Sequence, residues 1–484
     1  MNYSTIKRTL GWLLVFEAVF LLVPLITAAI YWEEEFFSFL ICMLLCGLVG
    51  GTCFIKKPKN TAIYAKEGFV IVAMSWIVMS LVGALPFYFS GAIPSYVDAL
   101  FETVSGFTTT GSTILSGEQI DAMAKSLLMW RSFTHWVGGM GVLVLIMAFL
   151  PLSGAQNMHL MKAESTGASV SKIVPKVRQT AMILYSIYLA LTLLQFIFLV
   201  CGNMPVFDAL TTAFATAGTG GFAVRGDGFA SYSPYVQWVT TAFMLIFSIN
   251  FNAYYLTLKG KFKEAFTAEV KTFLIIVVAA ILLIVLNLHF TPTDAYTMSI
   301  EEEIRHSAFS VASIVSTTGF GTADFNVWPT LSKVLLVTLM FIGACAGSTG
   351  GGMKVSRIMV LAKGGMHEVG RMIHPKQVKK ITIDGRVVEH EVVRSINAYL
   401  VAFIIIYISS LALISLDGFD FTTSFTAVAA TINNIGPGLG MVGPVGSFAE
   451  FSPLSKFVFI FDMLAGRLEI FPMLILFAPS TWKK

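Results

Sequence analysis

Apolar residues fill this chain in long blocks, and polar residues fall in short stretches between them. Blocks near or above the roughly 18 residues that cross hydrocarbon lie at about 9–31, 36–54, 67–90, 127–150, 181–201, 236–258, 270–290, 331–361, 396–416 and 454–478. Four shorter apolar runs, 99–108, 208–217, 304–315 and 421–432, are too short to span. Their length suits helices that enter the membrane and return by a loop on the same side. The block at 331–361 is too long and too glycine-rich for one regular helix, and GSTGGG at 347–352 should break it.

The short runs share a pattern. DALFETVSGFTTTGSTI at 98–114 recurs in outline as DALTTAFATAGTGGF at 208–222, IRHSAFSVASIVSTTGF at 304–320 and FTTSFTAVAATINNIGPG at 421–438. Each ends in small and hydroxylated residues around a glycine, and each sits between two long blocks. Aligning Gly111, Gly220, Gly319 and Gly436 gives intervals of 109, 99 and 117 residues. The expected fold is an all-α integral membrane protein with four pseudo-repeats of membrane helix, pore helix and membrane helix around one ion pore. An N-terminal two-helix hairpin precedes them. The expected divisions are 1–60 for the hairpin, 61–155, 176–262, 268–362 and 396–484 for the repeats, and 363–395 for a basic cytoplasmic loop.

Composition agrees with this class. Of 484 residues, 56% are hydrophobic and 12% charged, a balance no ordinary soluble domain needs. The first block follows Lys7 and Arg8 as a secretory signal core would; no small-residue cleavage site ends it, so it reads as a retained helix. Cys42, Cys46, Cys53, Cys201 and Cys345 are odd in number and contain no CxxC pair, which favours buried thiols over disulfides or a metal set.

Charge orients the spans. With the N-terminus inside, 25 of the 32 Lys and Arg fall on inner segments, leaving Lys125, Arg131, Arg225, Arg305, Lys333, Lys456 and Arg467 outside or within the membrane. That bias predicts cytoplasmic N- and C-termini. Acidic residues gather at the opposite end, among them Glu33, Glu34, Glu35, Glu118, Asp121, Asp227, Asp294, Glu301, Asp324, Asp417, Asp420 and Glu450. An acidic mouth concentrates cations.

The glycine loops carry the candidate chemistry. An ion leaving water needs replacement oxygens, which a loop supplies when its carbonyls converge. Glycine permits the positive φ such a loop requires. Thr109 and Thr110 before Gly111, Thr219 before Gly220, and Thr317 and Thr318 before Gly319 add hydroxyls, while Asn433 and Asn434 can brace the loop at Ile435 and Gly436. Asp98 and Asp208 stand where a carboxylate caps free amides and meets the positive end of a helix dipole.

GFTTTG at 106–111, GGF at 220–222, STTGF at 316–320, NNIGPGLG at 433–440, FIGACAGSTGGGMK at 341–354 and AGRLEIF at 465–471 together resemble the TrkH/TrkG potassium-uptake subunits of the Trk/Ktr/HKT cation transporter superfamily, over essentially the whole chain. The resemblance implies potassium as the transported ion, held by backbone oxygens at Thr109, Thr110, Gly111, Gly218, Thr219, Gly220, Thr317, Thr318, Gly319, Asn434, Ile435 and Gly436. Four filter glycines imply potassium preference, and a serine at the first position is associated with sodium-selective members. The extra glycine of AGTGG is expected to loosen the second loop. The resemblance also makes Gly347, Ser348, Thr349, Gly350, Gly351, Gly352 and Lys354 a gate below the filter, against the plainer reading of a fixed packing break. It places Arg467 toward the pore as a control on cation occupancy, against a salt bridge with Asp462 or Glu469. It further implies a bacterial inner-membrane homodimer and a TrkA-like cytoplasmic subunit that binds the regulatory nucleotide, with no bound cofactor on this chain.

Several residues stay undivided. Asn250 and Asn252 suit helix–helix bonding and an inner-cavity lining equally. His135 reads as a packed histidine, and His306 stands near the outer end of the third short helix. The basic loop fits anionic lipid headgroups as well as a partner, and VKKITIDGRVV within it predicts a hairpin turning at Asp384-Gly385. No GxxxxGK[ST] or dinucleotide fingerprint occurs, nothing suggests nucleic-acid binding, and Glu17, Glu102, Arg131 and the membrane histidines form no catalytic set, so an enzyme is not expected.

Overall fold

The computed structural model describes residues 1–54, 64–141, 177–291, 298–374 and 380–482. The second half of the block at 127–150, the basic residues Lys162, Lys172, Lys176, Lys483 and Lys484, and Asp294 lie outside the described residues. Among the described residues the fold is all-α apart from one two-stranded hairpin. Tyr3–Phe20 and Leu22–Tyr31 form a 29-residue apolar rod, against which Phe36–Thr52 packs. Small residues let these two backbones close up: a Cβ on Gly50 would lie 2.9 Å from the Gly11 carbonyl oxygen.

After it, a long apolar helix followed by a short one occurs four times. The short helices are Tyr96–Phe107, Val206–Ala217, Ile300–Val315 and Phe421–Ile432. At 12 or, for the third, 16 residues they rise about 18–24 Å, short of a hydrocarbon core of about 30 Å. Their starts are fixed locally. Ser95 caps the first by accepting from Asp98 N–H, Ser299 forms a capping box with Glu302 on the third, and Asp420 accepts from Thr423 N–H on the fourth. Bonds from Thr423 hold the Asp420 carboxyl below the usual carboxylate range. Asp98 and Asp208, expected as caps, lie inside the first turn instead. Asp98 takes the Lys456 ammonium at 2.6 Å, and Asp208 takes the Arg225 guanidinium at 3.1 Å and the Tyr232 hydroxyl at 2.8 Å. Their favourable position on the helix dipole remains.

Three later spans are broken. Pro234–Phe247 and Phe251–Leu258 meet at 91°; Thr330–Ile342 and Val355–Ile373 are separated by a loop over 343–354; Pro453–Arg467 and Phe471–Phe477 part where Glu469 and Ile470 both take positive φ. Only the second break was visible in the apolar pattern. A backbone opened inside a membrane must find partners in protein, and these breaks supply one another: Cys345 N–H donates to Ser248 O at 3.1 Å, and Phe251 N–H to Gly347 O at 3.0 Å.

Leu189, Leu193, Ile275, Leu282, Ile405 and Ile408 are exposed on the outermost long helices, the face that meets lipid. Cys42, Cys46 and Cys345 are buried free thiols, but Cys201, expected inside, is exposed at a helix end. Thr382–Ile383 pairs with Arg386–Val387 through a two-residue turn in which Asp384 and Gly385 both have positive φ, the type I′ geometry that Asp-Gly favours. The Asp384 carboxylate docks this hairpin by accepting from Ala268 N–H at 2.8 Å.

Candidate functional site

The four short helices end alike. Thr109, Thr219, Thr317 and Asn434 take φ of 55°, 53°, 59° and 54°, and two residues later Gly111, Gly221, Gly319 and Gly436 take 80°, 84°, 87° and 98°. Between each pair, the N–H of Thr110, Gly220, Thr318 or Ile435 donates back to a carbonyl five residues earlier, at 2.8–2.9 Å. A left-handed residue costs a side-chain-bearing position about 1–2 kcal/mol, so four equivalent ones mark a conformation imposed by the surroundings.

This pattern moves the register of the second loop. Its left-handed glycine is Gly221, one residue beyond the Gly220 of the sequence alignment, and Gly220 is the counterpart of Thr110, Thr318 and Ile435. The intervals become 110, 98 and 117 residues from Gly111 through Gly221 and Gly319 to Gly436. The Gly-Phe pairs at 221–222 and 319–320 carried this signal.

The loops close into a ring. A Cβ on Gly111 would collide with Gly220 O, on Gly221 with Thr318 O, and on Gly319 with Ile435 O; on Gly436 it would lie 2.9 Å from Thr110 O. Four glycine Cα atoms and four carbonyls therefore alternate in order around one axis, too close for any side chain. Ser112 Oγ closes the seam between first and last loops by donating to Gly436 O at 3.0 Å, and Asn434 Nδ2 donates to Thr110 Oγ1 at 2.9 Å. A cavity of about 80 Å³ on the acidic side is lined by all four glycines.

Glu102 and Arg131, in which the sequence showed no catalytic set, are members of the site that sequence reasoning missed. They form a fully buried ion pair at 2.8 Å. Glu102 also accepts from Thr113 Oγ1 at 2.9 Å and Ile114 N–H at 3.1 Å, while Arg131 donates to Ala223 O at 3.2 Å and lies over the Phe222 ring. The pair thus ties the first loop to the second. Breaking one side of a buried pair costs about 3–5 kcal/mol because it strands the other charge. Glu102→Gln and Arg131→Met are each expected to lower the thermal midpoint of the purified protein sharply, and the double variant less than the two effects added. Additive losses in a melting series would show that the two charges act independently.

On the basic side, loop 343–354 lies directly under the ring. Gly351 N–H donates to Thr317 Oγ1 at 2.6 Å, Gly352 N–H to Asn433 O at 3.1 Å, and Thr349 Oγ1 to Phe247 O at 3.2 Å. Ser348 closes on Cys345 O, Lys354 Nζ donates to Gly350 O, and Asn250 packs against Gly347. Glu269 holds both ends by accepting from Ala346 N–H at 2.7 Å and Ser356 N–H at 3.2 Å. Arg467 donates to Thr349 O at 2.9 Å and to the carbonyls of Gly138 and Gly139. The acidic partners once considered for it are engaged elsewhere, Asp462 with Ser410 and Glu469 with Arg357. Two buried basic side chains, Lys354 and Arg467, therefore sit below the ring. A cavity of about 520 Å³ opens beyond the loop and includes Asn250, Gly347, Glu269, Arg357 and hairpin residues.

The chain matches a family described as TrkH, cation transport protein, over residues 34–484. It is 34% identical over 489 residues to the Trk system potassium uptake protein TrkH of Salmonella typhimurium, with 100% of both chains covered. Identity to the Trk system potassium uptake protein TrkG of Escherichia coli K12 is 30% over 493 residues, again with both chains covered in full. Among solved structures, the potassium transporter TrkH from Vibrio parahaemolyticus matches with a TM-score of 0.88 at 33% identity over 100% of each chain.

Proposed function

The chain belongs to the TrkH family of cation transport proteins, and from that premise we propose that it carries potassium into the cell through the ring of four loops, down the electrochemical potential. One observation carries the reading: four loops from one polypeptide repeat the same pair of left-handed positions and interlock glycine to carbonyl around a single axis. Backbone oxygens so placed replace a hydration shell, and the four short helices present their negative dipole ends to the ion emerging below. Thr109–Gly111, Gly218–Gly221, Thr317–Gly319 and Asn434–Gly436 supply the ion's ligands.

Loop 343–354 is the gate, and Lys354 and Arg467 disfavour cation occupancy while it is closed. The acidic end faces outside and both termini face the cytoplasm of a bacterial cell whose inner membrane holds the protein, a homodimer with one pore per protomer. A TrkA-like nucleotide-binding subunit docks on the basic face, and the hairpin at 382–387, bonded to Ala268 beside gate-holding Glu269, suits the contact.

Flux in proteoliposomes under imposed voltage with paired potassium and sodium gradients tests the reading. Voltage-driven potassium flux that persists without a proton gradient is expected. Flux that requires co-imposed protons or sodium would make this an obligatory symporter, and equal sodium and potassium flux would make the pathway weakly selective.

A further inference from the structure

We infer that His135 is the positioning residue for the second loop of the ring and thereby a determinant of potassium-over-sodium selectivity, an inference that rests on the ion pathway proposed above. The loops differ in how they are braced. In the first, the hydroxyls of Thr108 and Thr110 bond each other at 2.8 Å; in the third, Ser316 and Thr318 do so at 2.7 Å. In the fourth, Asn434 bonds Thr110 Oγ1 and Met463 O, both at 2.9 Å. The second loop has glycine at both equivalent positions, Gly218 and Gly220, so it has no side chains for a brace of this kind.

His135 takes that place. Its ring is fully buried on helix Lys125–Gly139. Nε2 accepts from Phe222 N–H at 3.2 Å, immediately after Gly221, and Nδ1 lies 2.7 Å from Gly106 O on the first short helix. An acceptor role for Nε2 puts the proton on Nδ1, which donates to that carbonyl. A Cβ at Gly220 would enter the imidazole ring, and one at Gly218 would strike the His135 carbonyl. The glycines that looked like looseness in the sequence are the room this ring occupies. One imidazole thus joins the second loop to the first short helix and fills the volume behind it.

The test measures the potassium-to-sodium permeability ratio from reversal potentials of the full chain in proteoliposomes, with thermal melting as a check on folding. His135→Ala opens a void and removes both bonds, and should lower the ratio at least about tenfold, since selectivity depends on the placement of carbonyls. His135→Gln, which can both donate and accept, should recover part of that loss, whereas His135→Phe fills the space without either bond and should not. If the Ala variant fails to fold, the Gln–Phe comparison decides. Ratios within about twofold of the parent in folded variants, or equal loss in Gln and Phe, would overturn the positioning role while leaving the pathway intact. A parent protein without selective flux would overturn both.

Discussion

Deletion of residues 347–351 is expected to raise potassium flux at least about tenfold in the absence of any partner, equivalent to removing about 1.4 kcal/mol or more from the barrier. Directly beneath the ring, the loop bonds at once to the third ring loop at Thr317, to the fourth at Asn433 and to the break at Phe251. Its hold is modest. Each neutral hydrogen bond contributes about 1 kcal/mol net, and the many glycines give the released loop a large conformational entropy. A signal of a few kcal/mol from a docked partner is therefore enough to shift its position. Arg467→Ala offers a milder version, since it removes the contacts to Thr349 O and the Gly138–Gly139 carbonyls and withdraws a buried positive charge. Its conductance should rise several-fold, most strongly at low potassium, where cation occupancy below the ring limits flux. Proteoliposome flux, normalised to folded protein by melting and size-exclusion profile, reads both. Unchanged flux in well-folded deletion protein would make 343–354 a fixed packing break.

What the chain revealed before its structure follows from how local each cause is. The four short helices and the Asp384-Gly385 turn depend on consecutive residues, and the structure has them; so do the apolar blocks, of which the one at 127–150 is described only as far as 141. The break in 331–361 was visible because six of its residues are GSTGGG. The breaks near Asn250 and Glu469 were not, because their sequences remain apolar and the contacts that tie them into the fold come from residues about a hundred positions away, such as Gly347 and Arg357. The Glu102–Arg131 pair was hidden for the same reason: each residue alone is a costly charge in an apolar segment, and only the fold sets them 2.8 Å apart. His135 was read as a packed histidine, and it is one; what it packs against required three dimensions.

The register of the second loop leads to the sharpest expectation. Gly221→Ala should abolish potassium selectivity, lowering the permeability ratio by more than about tenfold and reducing total flux. Two costs combine. At φ of 84° a Cβ is strained, by about 1–2 kcal/mol in the left-handed region, and it would strike Thr318 O of the neighbouring loop. Neither can relax without moving the ring, because the obstacle is backbone. Gly220→Ala differs in kind. Gly220 is not left-handed, and the obstacle is the His135 imidazole, a side chain. The two changes should therefore be non-additive, the Gly220→Ala/His135→Ala double variant losing no more selectivity than His135→Ala alone, while adding His135→Ala to Gly221→Ala restores nothing. Reversal potentials of the four variants separate the two registers. Tolerance of Gly221→Ala beside a Gly220→Ala whose loss simply adds to that of His135→Ala would return the second filter position to Gly220 and break the glycine-to-carbonyl order around the axis. The expected result would instead make every quarter of the ring depend on a position where the next loop's carbonyl leaves no room for a side chain.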